Sequence, residues 1–261
     1  MKGRCLGCQQ EKELCEAHIF PEAFYRRMRR DSGGEGIKSW SPGQPMRRAP
    51  KGAYDSGILC SACDGDIGKR LDDVGASALL AALDDEKNVL RDSLGRLEAY
   101  RVPGVDKQAL LRFFVSVLWR SAVSSHRSFE NVRLGPYLEL AREATWGAGP
   151  VAPAFDAVLQ SWVNPDRSAR THFAITTPER VRLPVCNALF WKLHYGQGLA
   201  LVKVGRGPLP TKIQQFGLQS DGPLLIRAAV PNATPDYQFG LKTAQEASNW
   251  KPPHKRSAQK T

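Results

Sequence analysis

Apolar positions in the middle of the chain recur at spacings of three and four, the period of one helical face. The pattern is densest between Asp106 and Ser125. There Leu110, Leu111, Phe113, Phe114, Val115, Val117, Leu118, Trp119, Ala122 and Val123 leave only a narrow polar stripe at Gln108, Arg112, Ser116 and Arg120. Asp106 stands where an N-cap is needed. So apolar a helix is expected to form the centre of a core. Helical spacing is read from about 76 to 147, in segments punctuated by Gly95, Pro103-Gly104 and Gly135-Pro136.

Beyond about residue 150 the pattern shortens to strand length. Val185 to Tyr195 and Leu199 to Val204 flank Gly196-Gln197-Gly198, which predicts a hairpin, and Pro223 to Val230 supplies a further run. These segments predict a small antiparallel sheet packed on the helices. Residues 1–75 differ from both regions: they hold five of the six cysteines and an irregular Gly/Pro-rich basic insert at 32–52. The expected fold class is therefore α+β. A zinc-stabilised module at 1–75 precedes an α+β domain at 76–250, helical over 76–147 and β-rich over 150–230. The tail 251–261 carries four Lys/Arg and no acid, and is expected to be mobile and able to touch a polyanion.

Composition narrows the function. Lys and Arg number 37 against 26 Asp and Glu, a formal net charge of +11, which favours a polyanionic partner such as nucleic acid. No run of about 18 apolar residues is present, and Met1 to Gln10 is polar where a secretory core would stand. Membrane spanning and secretion are therefore disfavoured, no membrane partner is expected, and a cytoplasmic location is. In that setting six cysteines point to metal binding or plain burial rather than disulfides. Phosphate loops, dinucleotide-binding glycine fingerprints and G-x-S-x-G elbows are absent.

Two C-x-x-C pairs, Cys5/Cys8 and Cys60/Cys63, can together supply the four thiolates of a tetrahedral structural zinc. The long segment between them is tolerable because loop-closure entropy rises slowly with length. Two other arrangements stay open: the first pair with Cys15 and His18, which leaves Cys60 and Cys63 unused, or four unrelated buried cysteines. Cys186 reads as a small buried hydrophobe. His126, His172, His194 and His254 are scattered and read as structural.

The order C-x-x-C, then His18-Ile19-Phe20-Pro21, then Leu59-Cys60-Ser61-Ala62-Cys63 entering a helix resembles the zinc-containing HNH endonucleases, over roughly Cys5 to Asp73. The resemblance implies a ββα-metal fold with His18 as general base for hydrolysis of a phosphodiester. The family's aspartate before that histidine is Ala17 here, its asparagine is Asp55, and its final histidine is Asp64. Carried over, Asp64 holds a catalytic Mg²⁺ or Mn²⁺, Glu16 replaces the missing aspartate, and Asp55 orients His18 or joins the metal shell. The helix FFVSVLWRSAVS followed by VRLGPY looks like the helical region of bacterial proteins that carry such a motif.

Between Ala23 and Leu59 stand eight Lys/Arg against three acids. Arg26, Arg27, Arg29, Arg30, Arg47 and Arg48 are expected to contact phosphates, with Trp40 and Tyr54 available to stack on bases. DNA is the expected substrate ahead of RNA. The competing reading is a catalytically inactive zinc-bearing module for nucleic-acid binding or protein interaction. Residues 76–250 are open to a protein partner or to homo-oligomer formation.

Overall fold

The computed structural model describes residues 2–31, 37–39, 46–49, 52–81, 86–162, 174–182, 188–196, 198–229 and 235–249. Trp40, His172, Cys186, His254, the tail 251–261 and much of the basic insert 32–52 lie outside them.

The first cysteine pair sits in the turn of a small ribbon. Strand β1 (Lys2–Arg4) pairs antiparallel with β2 (Glu11–Glu13), Gly3 opposite Lys12. The turn closes through Gln9 N–H to Cys5 O at 2.8 Å, with Gln9 in the left-handed region at φ 61°. Strand β3 (Ala17–His18) leads into α1 (Glu22–Asp31). A second ribbon, β4 (Lys38–Ser39) with β5 (Arg47–Arg48), sets Lys38 opposite Arg48. Strand β6 (Tyr54–Asp55) then returns to β3, with Ala17 opposite Asp55 and His18 opposite Tyr54.

Helix α2 (Ser61–Ile67) starts inside the second cysteine pair, with Cys60 at its N-cap. It runs on through a π-turn at Gly68–Asp72, α3 (Asp73–Ala76) and a second π-turn at Ser77–Ala81. Gly75 permits close approach here: a Cβ at this position would lie 2.7 Å from the Phe113 ring.

The expectation of helix throughout 76–147 needs correction, because β7 (Val89–Arg91) and β8 (Leu97–Val102) form an antiparallel hairpin within it. Leu90, Leu94 and Leu97 are spaced like one helical face, yet Leu94 stands on the turn and is 73% exposed. Asp92 makes that turn by accepting the N–H groups of Leu94 and Arg96, both at 2.9 Å, and Gly95 supplies a φ of 76°. The central helix is as expected. Helix α4 (Lys107–Val123) is capped by Asp106, whose Oδ1 accepts from Ala109 N–H at 3.0 Å. Helix α5 (Leu138–Trp146) packs beside it.

The remaining elements are β9 (Phe155–Trp162), β10 (Ala174–Ile175), β11 (Glu179–Arg182), β12 (Leu189–Gly196), β13 (Gly198–Val204), α6 (Thr211–Gln214), β14 (Leu224–Ala229) and α7 (Pro235–Ser248). The hairpin around residue 197 is present, with Leu193 opposite Ala200. The sheet, however, is larger than expected and is mixed. Among the described residues it has eight strands in the order β10-β12-β13-β9-β14-β8-β7, with β11 also on β12. Its one parallel pairing is β9 with β14, Leu159 opposite Ile226. The chain meanders through β12 and β13 on one side of β9, then crosses to the other side and runs in β9's direction.

One hydrophobic cluster extends from Cys5 through α4 to Ile226, so the N-terminal module and the sheet share a core. An aromatic series marks the connection: Phe24 stacks on Phe113 at 6.1 Å, Phe113 meets Phe114 at 5.0 Å, and Phe114 meets Tyr195 at 5.8 Å. Each such ring buried contributes about 1.5–3 kcal/mol. The polar stripe of α4 is also partnered, buried at Ser116 and Arg120 and partly buried at Gln108 and Arg112. Gln108 Oε1 accepts Val151 N–H at 3.2 Å, and Arg112 donates to the carbonyls of Ala144 and Gly147, each at 2.7 Å, and of Gly149, neutralising the end of α5. Among the described residues no helix is long and apolar enough to cross a membrane.

Candidate metal centre and the histidine beside it

The β1–β2 ribbon, the segment that follows it and the start of α2 bring the cysteine pairs together. Leu14 bridges to Cys60, Leu6 N–H reaches Ile58 O at 2.9 Å, and Cys15 N–H reaches Leu59 O at 2.9 Å. As a result the Sγ atoms of Cys5, Cys8, Cys60 and Cys63 lie within 4.8 Å of one another, and none of the four is in a disulfide. Four thiolates about 2.3 Å from a tetrahedral ion are about 3.8 Å apart. The donor set therefore fits a structural metal.

Local hydrogen bonding suits the same role. Cys60 N–H donates to Cys5 Sγ at 3.3 Å. Burial opposes ionisation of Cys5, but the N–H groups of Cys60, Cys8 and Gly7 outweigh it and bring this thiol down to about 7. Cys63 is driven strongly upward by burial and by the neighbouring sulfurs, a crowding that a divalent cation relieves. Gly7 is required by contact: a Cβ there would stand 2.6 Å from the Trp146 ring and 3.0 Å from Cys63 Sγ. Cys15 is not among the ligands. Its Sγ turns to Leu59 O at 3.5 Å, so the alternative set with Cys15 and His18 is not assembled.

His18 stands half-buried on β3, beyond the cysteines. Its Nε2 lies 3.4 Å from Glu22 Oε2, at the first residue of α1, and Arg29 pairs with the same Glu22. The backbone oxygen of His18 accepts from Arg120 Nη1 at 3.0 Å. Arg120 is wholly buried and also grips Asp72 through two bonds of 3.0 and 2.7 Å. Burial pushes the Asp72 carboxyl up, and the guanidinium pulls against it. Asp64, in the first turn of α2, is likewise raised by burial, with attraction from Arg120 and His18 opposing and repulsion from Asp72 adding. Arg120 thus ties the His18 strand to Asp72, and the charges of Arg120, Asp72 and His18 all act on Asp64.

Asp55 does not belong to that group. Paired strand residues point to the same face, so Asp55 shares the buried side of Ala17 while His18, the next residue, points the other way. Its Oδ1 accepts from Gly57 N–H at 2.7 Å, and its Oδ2 accepts from Ser124 Oγ at 2.7 Å and from Ser125 N–H and Oγ at 2.7 and 3.1 Å. Burial alone would raise this carboxyl, but those bonds hold it below the ordinary range. The expectation that Asp55 orients His18 or joins a metal shell is thereby corrected: it fastens the β3–β6 strand pair to the end of α4.

Glu16 is exposed, just before β3. Among the described residues only the four cysteines form a converging group of three or more metal-ligand atoms, so Glu16, His18 and Asp64 do not make a preformed cage. Of the arginines singled out, Arg26 and Arg30 are exposed one turn apart on α1, and Arg47 and Arg48 are exposed on β5. Arg27 and Arg29 are partly buried, Arg29 being committed to Glu22. Glu22, Asp72 and Arg120 were not anticipated near His18. The i,i+4 spacing of His18 and Glu22 was a usable signal for the first; nothing local announces the other two. No family model, curated protein or solved structure matches this chain.

Proposed function

We propose that the N-terminal module is an HNH-like metal-dependent endonuclease unit acting on nucleic acid, DNA ahead of RNA, with zinc as the structural metal of the four cysteines. The observation that carries this reading is His18 held on a two-strand ribbon that feeds directly into α2, with Asp64 in electrostatic reach of it. Zinc at the cysteines stiffens a unit whose β3–β6 ladder is only two residues long on each strand. His18 takes a proton from the attacking water, and Glu22 stabilises the imidazolium that results. Arg26, Arg30, Arg47 and Arg48 supply salt-sensitive affinity for the phosphate backbone. A Mg²⁺ or Mn²⁺ ion, bound as magnesium often is by one carboxylate and substrate phosphate oxygens, would rest on Asp64 and stabilise charge on the leaving oxygen.

The absence of a preformed ligand cage among the described residues favours a second reading, a zinc-bearing module that binds nucleic acid or protein without cutting. Cleavage of supercoiled plasmid in Mg²⁺ or Mn²⁺ separates the two. Wild-type protein is expected to nick the plasmid, and zinc-loaded His18→Ala to be slower by about 100-fold or more. Equal cleavage by both, or salt-dependent binding without cleavage, would remove the nuclease reading.

A further inference from the structure

Arg120 belongs to α4, the central helix of the second region, yet its side chain ends inside the cysteine-bearing module. It is 0% exposed and spends its donors on three segments. Nη1 bonds His18 O and Asp72 Oδ2, both at 3.0 Å. Nη2 bonds Asp72 Oδ1 at 2.7 Å and Ser116 Oγ at 3.3 Å, and Nε bonds Ser116 O at 3.4 Å. Asp72 is the last residue of the π-turn at Gly68–Asp72, and such turns re-aim side chains relative to a regular helix.

The strand that carries His18 is short, its ladder two residues long on each side, with Ala17 and Ile19 packed into the core. Besides the β3–β6 pairing, the described backbone bond at this place is Ile19 N–H to Ala53 O at 3.0 Å. On the other side of His18, Glu22 holds the ring. We propose that Arg120 is a positioning residue for His18: one buried guanidinium, clamped by Asp72, fixes the backbone of the strand from behind so that the ring keeps one orientation toward Glu22. This rests on the nuclease reading for its consequence in catalysis, although the clamp itself does not. Being fully buried, Arg120 touches no substrate, so its effect should fall on turnover and not on binding.

Lysine cannot replace it, because a single ammonium lacks the planar fork that reaches Asp72 and the His18 carbonyl together. Arg120→Lys is therefore compared with wild type in two assays on the full, zinc-loaded chain. The first is plasmid cleavage, where kcat is expected to fall by about 30- to 100-fold at unchanged KM. The second is modification of histidine by diethyl pyrocarbonate, followed peptide by peptide. His18 is expected to react several-fold faster in the variant while the other four histidines keep their wild-type rates.

A wild type that does not cleave, with the His18 rate still rising in the variant, would sink the nuclease reading and leave the clamp standing. Unchanged His18 reactivity would overturn the clamp, as would a rise in KM alone. So would faster reaction at all five histidines together with loss of zinc, which marks a purely structural role. Should Arg120→Lys fail to fold, Ser116→Ala removes the Nη2 partner at 3.3 Å, together with the hydroxyl's own bond to Phe113 O at 2.8 Å within α4, and is expected to act in the same direction with a smaller effect; no change at His18 in that variant would overturn the proposal.

Discussion

Replacing Asp55 by asparagine keeps the shape of the side chain and removes its charge. The carboxylate accepts four hydrogen bonds, one on Oδ1 from Gly57 and three on Oδ2 from Ser124 and Ser125. An amide can place its oxygen toward the three donors, but its NH₂ then faces the Gly57 N–H, and every remaining bond becomes neutral. Bonds to a charged acceptor are worth about 1.5–3 kcal/mol each and are not additive within a cluster, so a net loss of about 2–3 kcal/mol is expected. Unfolding entropy of about 2.1 cal/mol/K per residue over this chain is about 0.55 kcal/mol/K, which makes the loss about 4–5 °C in Tm.

The pH dependence has a definite sign. Because the folded carboxyl sits below its ordinary value, its contribution is complete above the unfolded pKa of about 3.9 and is lost as pH falls through the lower folded value. The gap between wild type and Asp55→Asn should therefore be constant near neutrality and close below about pH 4. Urea unfolding of both zinc-loaded proteins across this range measures it, and loss of zinc in acid affects the two alike. A variant within about 0.5 kcal/mol of wild type at pH 7 would refute the structural assignment of Asp55. Loss of cleavage at undiminished stability would show instead that Asp55 acts on the chemistry.

Cys60→Ser, or exhaustive chelation of the wild type, is expected to unfold the N-terminal module, with a change in Trp146 emission because that ring packs over Gly7 beside the cysteines; unchanged circular dichroism and fluorescence in the metal-free protein would contradict a structural metal. Gly7→Ala forces a methyl group against Trp146 and Cys63, and should cost about 1–3 kcal/mol and weaken zinc retention in a competition with a chromogenic chelator. Lys203 is 1% exposed, its ammonium donating to the carbonyls of Pro153, Gly205 and Gly207 at 2.9, 3.1 and 2.7 Å. Lys203→Met strands those oxygens and is expected to lower stability by about 3 kcal/mol in urea titration, with cleavage unchanged at temperatures where the variant is folded.

Features that are local in sequence were legible from it. Helix α4, its Asp106 cap and the β12–β13 hairpin follow from period or capping chemistry, and each C-x-x-C pair from its ligand spacing, although the convergence of the two distant pairs was one of several open arrangements. The β7–β8 hairpin was hidden because three leucines imitate a helical face across a turn. The parallel β9–β14 pairing depends on which side of a sheet a distant strand joins, and no short pattern records that. At the site, the residue types in α4's polar stripe were read correctly but their surroundings were not. A polar row on an apolar helix looks the same whether it meets water or, as Arg112 and Arg120 do here, backbone carbonyls and a carboxylate.

The guanidinium shared by α4, β3 and the π-turn also bears on how this protein could be divided or recombined. A fragment ending at residue 75 would retain all four cysteines and His18. It would nevertheless leave Asp72 without its counter-charge, the His18 carbonyl without its donor, and the Phe24 ring without Phe113. The metal-bearing segment is therefore not a cassette. Transplanting it into another protein would have to bring α4 along.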